Sequence, residues 1–152
     1  MAVRPIPEGY SSITPYLIIK GAADAIDFYT RVFGATEIMR FGGPDGKVGH
    51  AELRIGTSII MLADEHPEGG YQSPQSIGGS GTGIMLYVED ADGVFNRAVA
   101  AGAKVHQALK DQFYGDRSGT VIDPFGHVWT ISTHVEDVPP EEMKRRMAAQ
   151  AS

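Results

Sequence analysis

His50, Glu52 and Arg54 alternate with Ala51, Leu53 and Ile55 in the stretch "HAELRI". On a β-strand residues two apart share a face, with Cβ atoms about 6.5 to 7 Å apart, so the histidine and the glutamate lie side by side. A pair of that kind can pass a proton as acid and base, or form part of a relocated metal site. The plainer account is a solvated strand face on which Glu52 pairs with Arg54, contributing well under ~1 kcal/mol. A second polar cluster lies in "DQFYGDRSG", residues 111–119. There Tyr114 and Arg117 are candidate ligand contacts, with Gly115 making the bend and Asp116 orienting the guanidinium. A turn held by a local ion pair accounts for the same residues.

The other histidines read as structural. His127 follows Asp123-Pro124-Phe125-Gly126 and opens the strand "HVWTISTH" with the opposite parity to Thr130, so it faces the helix layer or the turn. His66 falls in a Gly/Pro-rich stretch and His106 on an edge strand. His134 shares Thr130's parity but sits at the strand end.

The elements that must hold these residues are written twice. "LIIKGAADAIDFYTRVFGATEI" and "LYVEDADGVFNRAVAAGAKVHQ" each read as strand, amphipathic helix, glycine stop and strand. The stops are Gly34 and Gly102, where a left-handed cap is expected. Each half then adds a strand pair, through Gly56-Thr57 in the first and Asp123–Gly126 in the second, giving β-α-β-β-β twice. The stretch between them is dense in Gly, Ser and Pro and reads as a linker. Asp137 is placed to cap a final helix opening with Pro139-Pro140. The expectation is a single α+β domain over residues 1–152. Module one spans about 11–63, the linker about 64–82, module two about 83–134 and a C-terminal helix about 138–149. A four-stranded module covers only one sheet face with its helix. Two such modules imply a strongly curved mixed sheet, helices on the convex face and a concave cleft.

Composition narrows the function classes. The chain has 152 residues and no cysteine, so neither a disulfide framework nor a thiol nucleophile is possible. A net charge of −6 disfavours nucleic acid, whose phosphates need a basic surface. No apolar run approaches the ~18 residues of a membrane span, and the N-terminus lacks a signal-peptide core. A cytoplasmic protein that contacts neither membrane nor nucleic acid is expected.

"AIDFYTRVFGA", "LYVEDADGVFNRAVAAGAKV" and "GDRSGTVIDPFGHVWTI", in that order over residues 12–134, resemble the vicinal oxygen chelate superfamily. This is the glyoxalase, bleomycin-resistance and extradiol-dioxygenase group, and within it the chain looks most like the PhnB-like branch. The resemblance implies paired βαβββ modules, a homodimer, and four strand positions that carry a His or carboxylate in metal-dependent relatives. In this chain those positions fall near Thr14, at Ile60 or Met61, at Thr82 or Gly83, and at Thr130. None offers the imidazole, carboxylate or thiolate that a hard or borderline cation needs, so no metal and no cofactor are expected.

Strand parity instead lists a lining of Thr14, Tyr16, Ile18, Met61, Met85, Tyr87, Thr130 and Ser132. Two tyrosines, two methionines and hydroxyls suit a flat or hydrophobic small molecule. Binding of such a ligand is the leading expectation. The alternative is a glyoxalase-like lyase or isomerase with His50 and Glu52 as acid and base or relocated metal ligands. A partner-binding role would rest on the C-terminal helix alone.

Overall fold

The computed structural model describes residues 2–151. The chain divides into two compact units, residues 1–80 and 81–152, the break falling inside the expected linker. Each unit repeats β-α-β-β-β, as the duplicated pattern predicts.

In the first unit the elements are β1 (Tyr16–Ile19), α1 (Ala22–Phe33), β2 (Thr36–Gly42), β3 (Val48–Ile55) and β4 (Ser58–Asp64). The sheet order is β1-β4-β3-β2, with β1 parallel to β4 and the remaining pairs antiparallel. α1 buries Ala25, Ile26, Phe28, Tyr29, Val32 and Phe33, and the Tyr29 and Phe33 rings stack 5.7 Å apart. Against it lie Leu17, Ile19, Ala51, Leu53, Ile55, Ile60 and Leu62, also buried. Each large side chain in this set contributes roughly 1.5–3 kcal/mol through burial. Gly34, at φ 69°, closes the helix by donating its N–H to the Tyr29 carbonyl. The other end has no local cap. There Gly21 and Ala22 donate to Asp64 Oδ1 at 3.0 and 2.9 Å, a carboxylate brought in by the end of β4.

The stretch read as a linker belongs largely to the first unit and carries structure of its own. His66 and Tyr71 bridge their backbones across a 3₁₀ turn at Pro67–Gly69. A single-turn helix, α2 (Pro74–Ile77), follows. Glu65 tethers α2, accepting the Ser73 N–H at 2.9 Å and the Ser76 hydroxyl at 2.7 Å.

The second unit contains β5 (Gly83–Tyr87), α3 (Ala91–Ala100), β6 (Lys104–Asp111), β7 (Asp116–Ile122) and β8 (Val128–His134), in the order β5-β8-β7-β6. Its helix is also capped from the last strand. Thr133 accepts the Ala91 N–H at 2.9 Å and donates to the Val88 carbonyl at 2.8 Å. The α3 cap falls on Ala101, one residue before the expected Gly102, which follows at φ 110°.

The Asp123–Gly126 reversal explains His127. Asp123 Oδ1 accepts the Phe125 and His127 N–H groups, each at 2.9 Å, and Oδ2 accepts the Trp129 indole N–H at 2.9 Å. His127 is buried within that turn, where the parity argument places it.

α4 (Pro140–Gln150) closes the chain and buries no residue. The expected Asp137 cap does not form. No side chain caps this helix, and Asp137 instead meets His134 Nε2 at 2.7 Å. Arg146 pins α4 to its unit, donating to the Phe113 carbonyl at 3.1 Å and to Glu136 at 2.7 Å. No helix among the described residues is long and apolar enough to cross a membrane.

Candidate functional site

The pairings of the first sheet put Tyr16, Met61 and Glu52 in line across β1, β4 and β3, on the face away from α1. His50 shares that face. The parity-based placement of Tyr16, Ile18 and Met61 with His50 and Glu52 therefore agrees with the observed register.

On this face four side chains form a continuous relay. The Tyr16 hydroxyl lies 2.9 Å from His50 Nδ1, and His50 Nε2 lies 2.7 Å from Glu52 Oε2. The other Glu52 oxygen accepts the Tyr10 hydroxyl. Glu52 is only 6% exposed and turns to His50 and Tyr10 instead of Arg54, so the solvated-face account of this strand is overturned. A carboxylate this deep in apolar surroundings leaves solvent at a cost of several kcal/mol unless it is bonded. Burial pushes its pKa up, but the bonds from His50 and Tyr10, with the charge interaction of His50, outweigh that and hold it below the usual carboxylate range. Burial raises the Tyr16 phenol pKa, with added contributions from Tyr71 and Glu52.

The relay reaches a pocket of about 670 Å³, a size typical of small-molecule sites. Tyr16, Ile18, Val48 and Ala63 form its sheet side. The β2–β3 turn supplies Asp45 and Lys47, and the segment after β4 supplies Glu65, His66 and Tyr71. Of the relay residues, Tyr16 is among those lining the pocket, and it is 46% exposed. The acids at the rim are largely committed elsewhere: Asp64 caps α1 and accepts the Val48 N–H, and Glu65 holds the α2 strap.

In the second unit Met85, Tyr87, Thr130 and Ser132 share one sheet face, as parity predicts. Met85 and Tyr87 are about half exposed. Thr130 shares a hydrogen bond with Thr120 at 2.9 Å, and Ser132 donates to Ser118 at 2.9 Å. At the end of the same face the buried Asp116 accepts the Tyr87 hydroxyl at 3.0 Å and meets His134 Nδ1 at 2.8 Å. The expected Asp116–Arg117 pairing is therefore incorrect. Neighbours on a strand point to opposite faces, and Arg117 reaches across to Asp92 at 2.6 Å and Asp111 at 3.2 Å. Gly115 does make the bend, at φ 102°, and the Tyr114 ring meets Phe113 edge-on at 5.2 Å. Thr14 lies just before β1, with its hydroxyl directed at the Ser11 carbonyl.

These residues do not fit the metal centre that the family resemblance implies. Met61 offers a thioether and Thr130 a hydroxyl already bonded to Thr120, and neither grips a hard or borderline cation. No group of three His, Asp or Glu able to hold an ion occurs among the described residues. Both ring nitrogens of His50 and both carboxylate oxygens of Glu52 have side-chain partners.

Tyr10 and Tyr71 were not anticipated. Tyr10 lies in an irregular segment without periodicity, 42 positions from its partner Glu52. Tyr71 was hidden in the Gly/Pro/Ser-rich stretch, where a large aromatic among turn residues is the one available signal.

Comparison with known proteins adds the lineage. The family model described as Glyoxalase/Bleomycin resistance protein/Dioxygenase superfamily matches residues 12–131. An uncharacterized protein of Mycobacterium tuberculosis is 45% identical over 142 residues, covering 91% of this chain and 84% of its own. Protein YjdN of Escherichia coli is 30% identical over 144 residues, covering 79% of this chain and 93% of its own. Among solved structures, TioX from Micromonospora sp. ML1 superposes with a TM-score of 0.64 at 31% identity, covering 82% of this chain and 99% of TioX.

Proposed function

This chain belongs to the glyoxalase/bleomycin resistance protein/dioxygenase superfamily, and from that premise we propose that it binds a small, flat, largely apolar molecule without a metal ion. The observation that carries this reading is the pocket of about 670 Å³ in the first unit, whose lining includes apolar Ile18, Val48 and Ala63 and two tyrosines, Tyr16 and Tyr71. Aromatic side chains bury large areas with few rotatable bonds, which favours planar guests. On the second unit's own sheet, Met85, Tyr87 and Thr130 are proposed as contacts of a separate ligand-binding face, Met85 and Tyr87 on their exposure and Thr130 on the face it shares with them. Tyr114 and Arg117 are proposed as contacts in the same unit, Arg117 with its guanidinium already oriented by Asp92 and Asp111. A homodimer in the cytoplasm remains the proposed working state.

Titration of the protein with 7-methoxycoumarin, followed by amide chemical shifts, tests the reading. Shifts concentrated at residues 16–18, 43–49 and 63–71 are expected. Saturable binding that leaves these amides unmoved would place the site elsewhere.

A second reading is favoured by one observation, the 2.7 Å contact between His50 and the buried Glu52. In it the protein is a lyase or isomerase with this pair as acid and base. Alanine at either position then abolishes turnover.

A further inference from the structure

The hydrogen-bond polarity of the relay restricts what can approach Tyr16. Glu52 is ionised at neutral pH, so both its oxygens only accept. Tyr10 therefore donates to one oxygen, and His50 Nε2–H donates to the other. In neutral His50 the remaining nitrogen, Nδ1, is an acceptor, so the Tyr16 hydroxyl donates to it at 2.9 Å. Tyr16 has then spent its proton inward. Toward the pocket its oxygen offers only lone pairs, and a guest that meets it must bring a donor.

We propose that the Tyr16–His50–Glu52 relay makes the pocket a proton acceptor for small planar molecules bearing a weakly acidic hydroxyl, which it binds as their anions. The proposal rests on the small-molecule reading and deepens it. The guest O–H gives its proton to the Tyr16 oxygen while the Tyr16 proton passes to His50 Nδ1. The products are a bound oxyanion, a neutral Tyr16 and an imidazolium bonded to the Glu52 carboxylate. One O–H bond breaks on the guest, one forms at Tyr16, the original Tyr16 O–H breaks and one N–H forms on His50. No electrons are transferred, and the charges that appear are one negative on the guest and one positive on His50.

Three features support this direction of transfer. The raised pKa of Tyr16 disfavours a resting tyrosinate, so the phenol relays the proton without losing it for long. The buried carboxylate, clamped from the far side by Tyr10, is already oriented to stabilise the imidazolium. Of the charged groups around the pocket, Asp64 and Glu65 are fixed by backbone and serine donors and Asp45 accepts the Lys47 N–H, bonds that hold these carboxylates in place without neutralising them. The Lys47 ammonium makes no ion pair among the described residues and lines the same pocket, where it can meet an oxyanion. His66 and Tyr71 complete the titratable lining. Tyr16 is the residue that touches the guest. His50 and Glu52 act through it and are positioning residues.

The test uses 7-hydroxycoumarin, whose neutral and anionic forms absorb at different wavelengths, beside 7-methoxycoumarin, which has no proton to give. The full-length protein is titrated with each, and the apparent pKa of bound 7-hydroxycoumarin is read from its absorbance between mildly acidic and mildly alkaline pH. A fall of at least one unit relative to water is expected, a tenfold shift toward the anion. The fall should disappear in Tyr16→Phe, which keeps the ring and removes the oxygen. It should also disappear in His50→Gln and Glu52→Gln, the last checked for folding by circular dichroism because Glu52 is buried. If both coumarins bind but the hydroxycoumarin titrates as it does in water, or the shift survives Tyr16→Phe, the proton-acceptor proposal is overturned and the binding reading stands. If neither coumarin binds, both fall.

Discussion

Trp129 donates its indole N–H to Asp123 Oδ2 at 2.9 Å across the hairpin that the two residues flank. The other oxygen of the same carboxylate holds the Phe125 and His127 N–H groups, so one buried acid organises both the reversal and the return strand. Asp123→Ala leaves three buried donors without that acceptor. A loss of about 2–4 kcal/mol is expected in urea denaturation, against a smaller loss for His127→Ala. A loss for Asp123→Ala no greater than that for His127→Ala would show that the aspartate is not the residue that organises the turn.

Truncation of the pocket aromatics gives a graded effect. Tyr71→Ala and Tyr16→Ala should each weaken 7-methoxycoumarin by ~0.5–1.5 kcal/mol, measured by calorimetric titration. Tyr71 tests the strap side of the pocket and Tyr16 the sheet side. Affinity unchanged in both variants would move the guest to another surface.

Glu65 titrates far from its usual range. Hydrogen bonds from Ser73 and Ser76 hold its pKa down to about 2. Because the folded value is depressed, the stability it lends the strap is present above the ordinary glutamate value of about 4.3 and is lost as pH falls toward 2. The Ser73 and Ser76 amide resonances should therefore move with a midpoint near 2. A midpoint at the ordinary glutamate value would show that these bonds are not maintained in solution.

His134 is the opposite case. Its bond to Asp116 first, and that to Asp137 second, raise its pKa above the ordinary histidine value. The stabilisation is then complete below about 6.5 and is lost as pH rises through the native value. In a proton NMR titration the His134 ring should have its midpoint above 6.5, and Asp116→Asn should bring it down. A midpoint insensitive to that substitution would leave the contact without energetic weight.

The parts of this protein legible in the sequence are those fixed by period and punctuation. Ala25, Ile26, Tyr29 and Val32 repeat at helical spacing and are buried on one face, and His50 and Glu52 alternate out of the apolar set and share a face. Partners brought together by tertiary folding were not legible. Nothing local marks Tyr10 as the second clamp on Glu52, or Asp64 as the cap of a helix 42 positions earlier. Asp137 shows the converse: local rules made it a cap, but the ring of His134 on β8 offered a hydrogen-bond partner instead. Asp116 and Arg117 separated because adjacent strand residues diverge, a rule the loop-based expectation did not apply.

The strap from Glu65 to Ile77 lends Glu65, His66 and Tyr71 to the pocket yet contributes little to the packing of helix on sheet: of residues 66–77 only Ser73 and Pro74 are buried, and Glu65 is the tether whose side-chain bonds are seen. Substitution or lengthening between His66 and Tyr71 can therefore remodel the opening while the paired strands beneath stay as they are. A lineage built on this scaffold can vary those exposed positions at little cost to its stability, redrafting the doorway while leaving the sheet untouched.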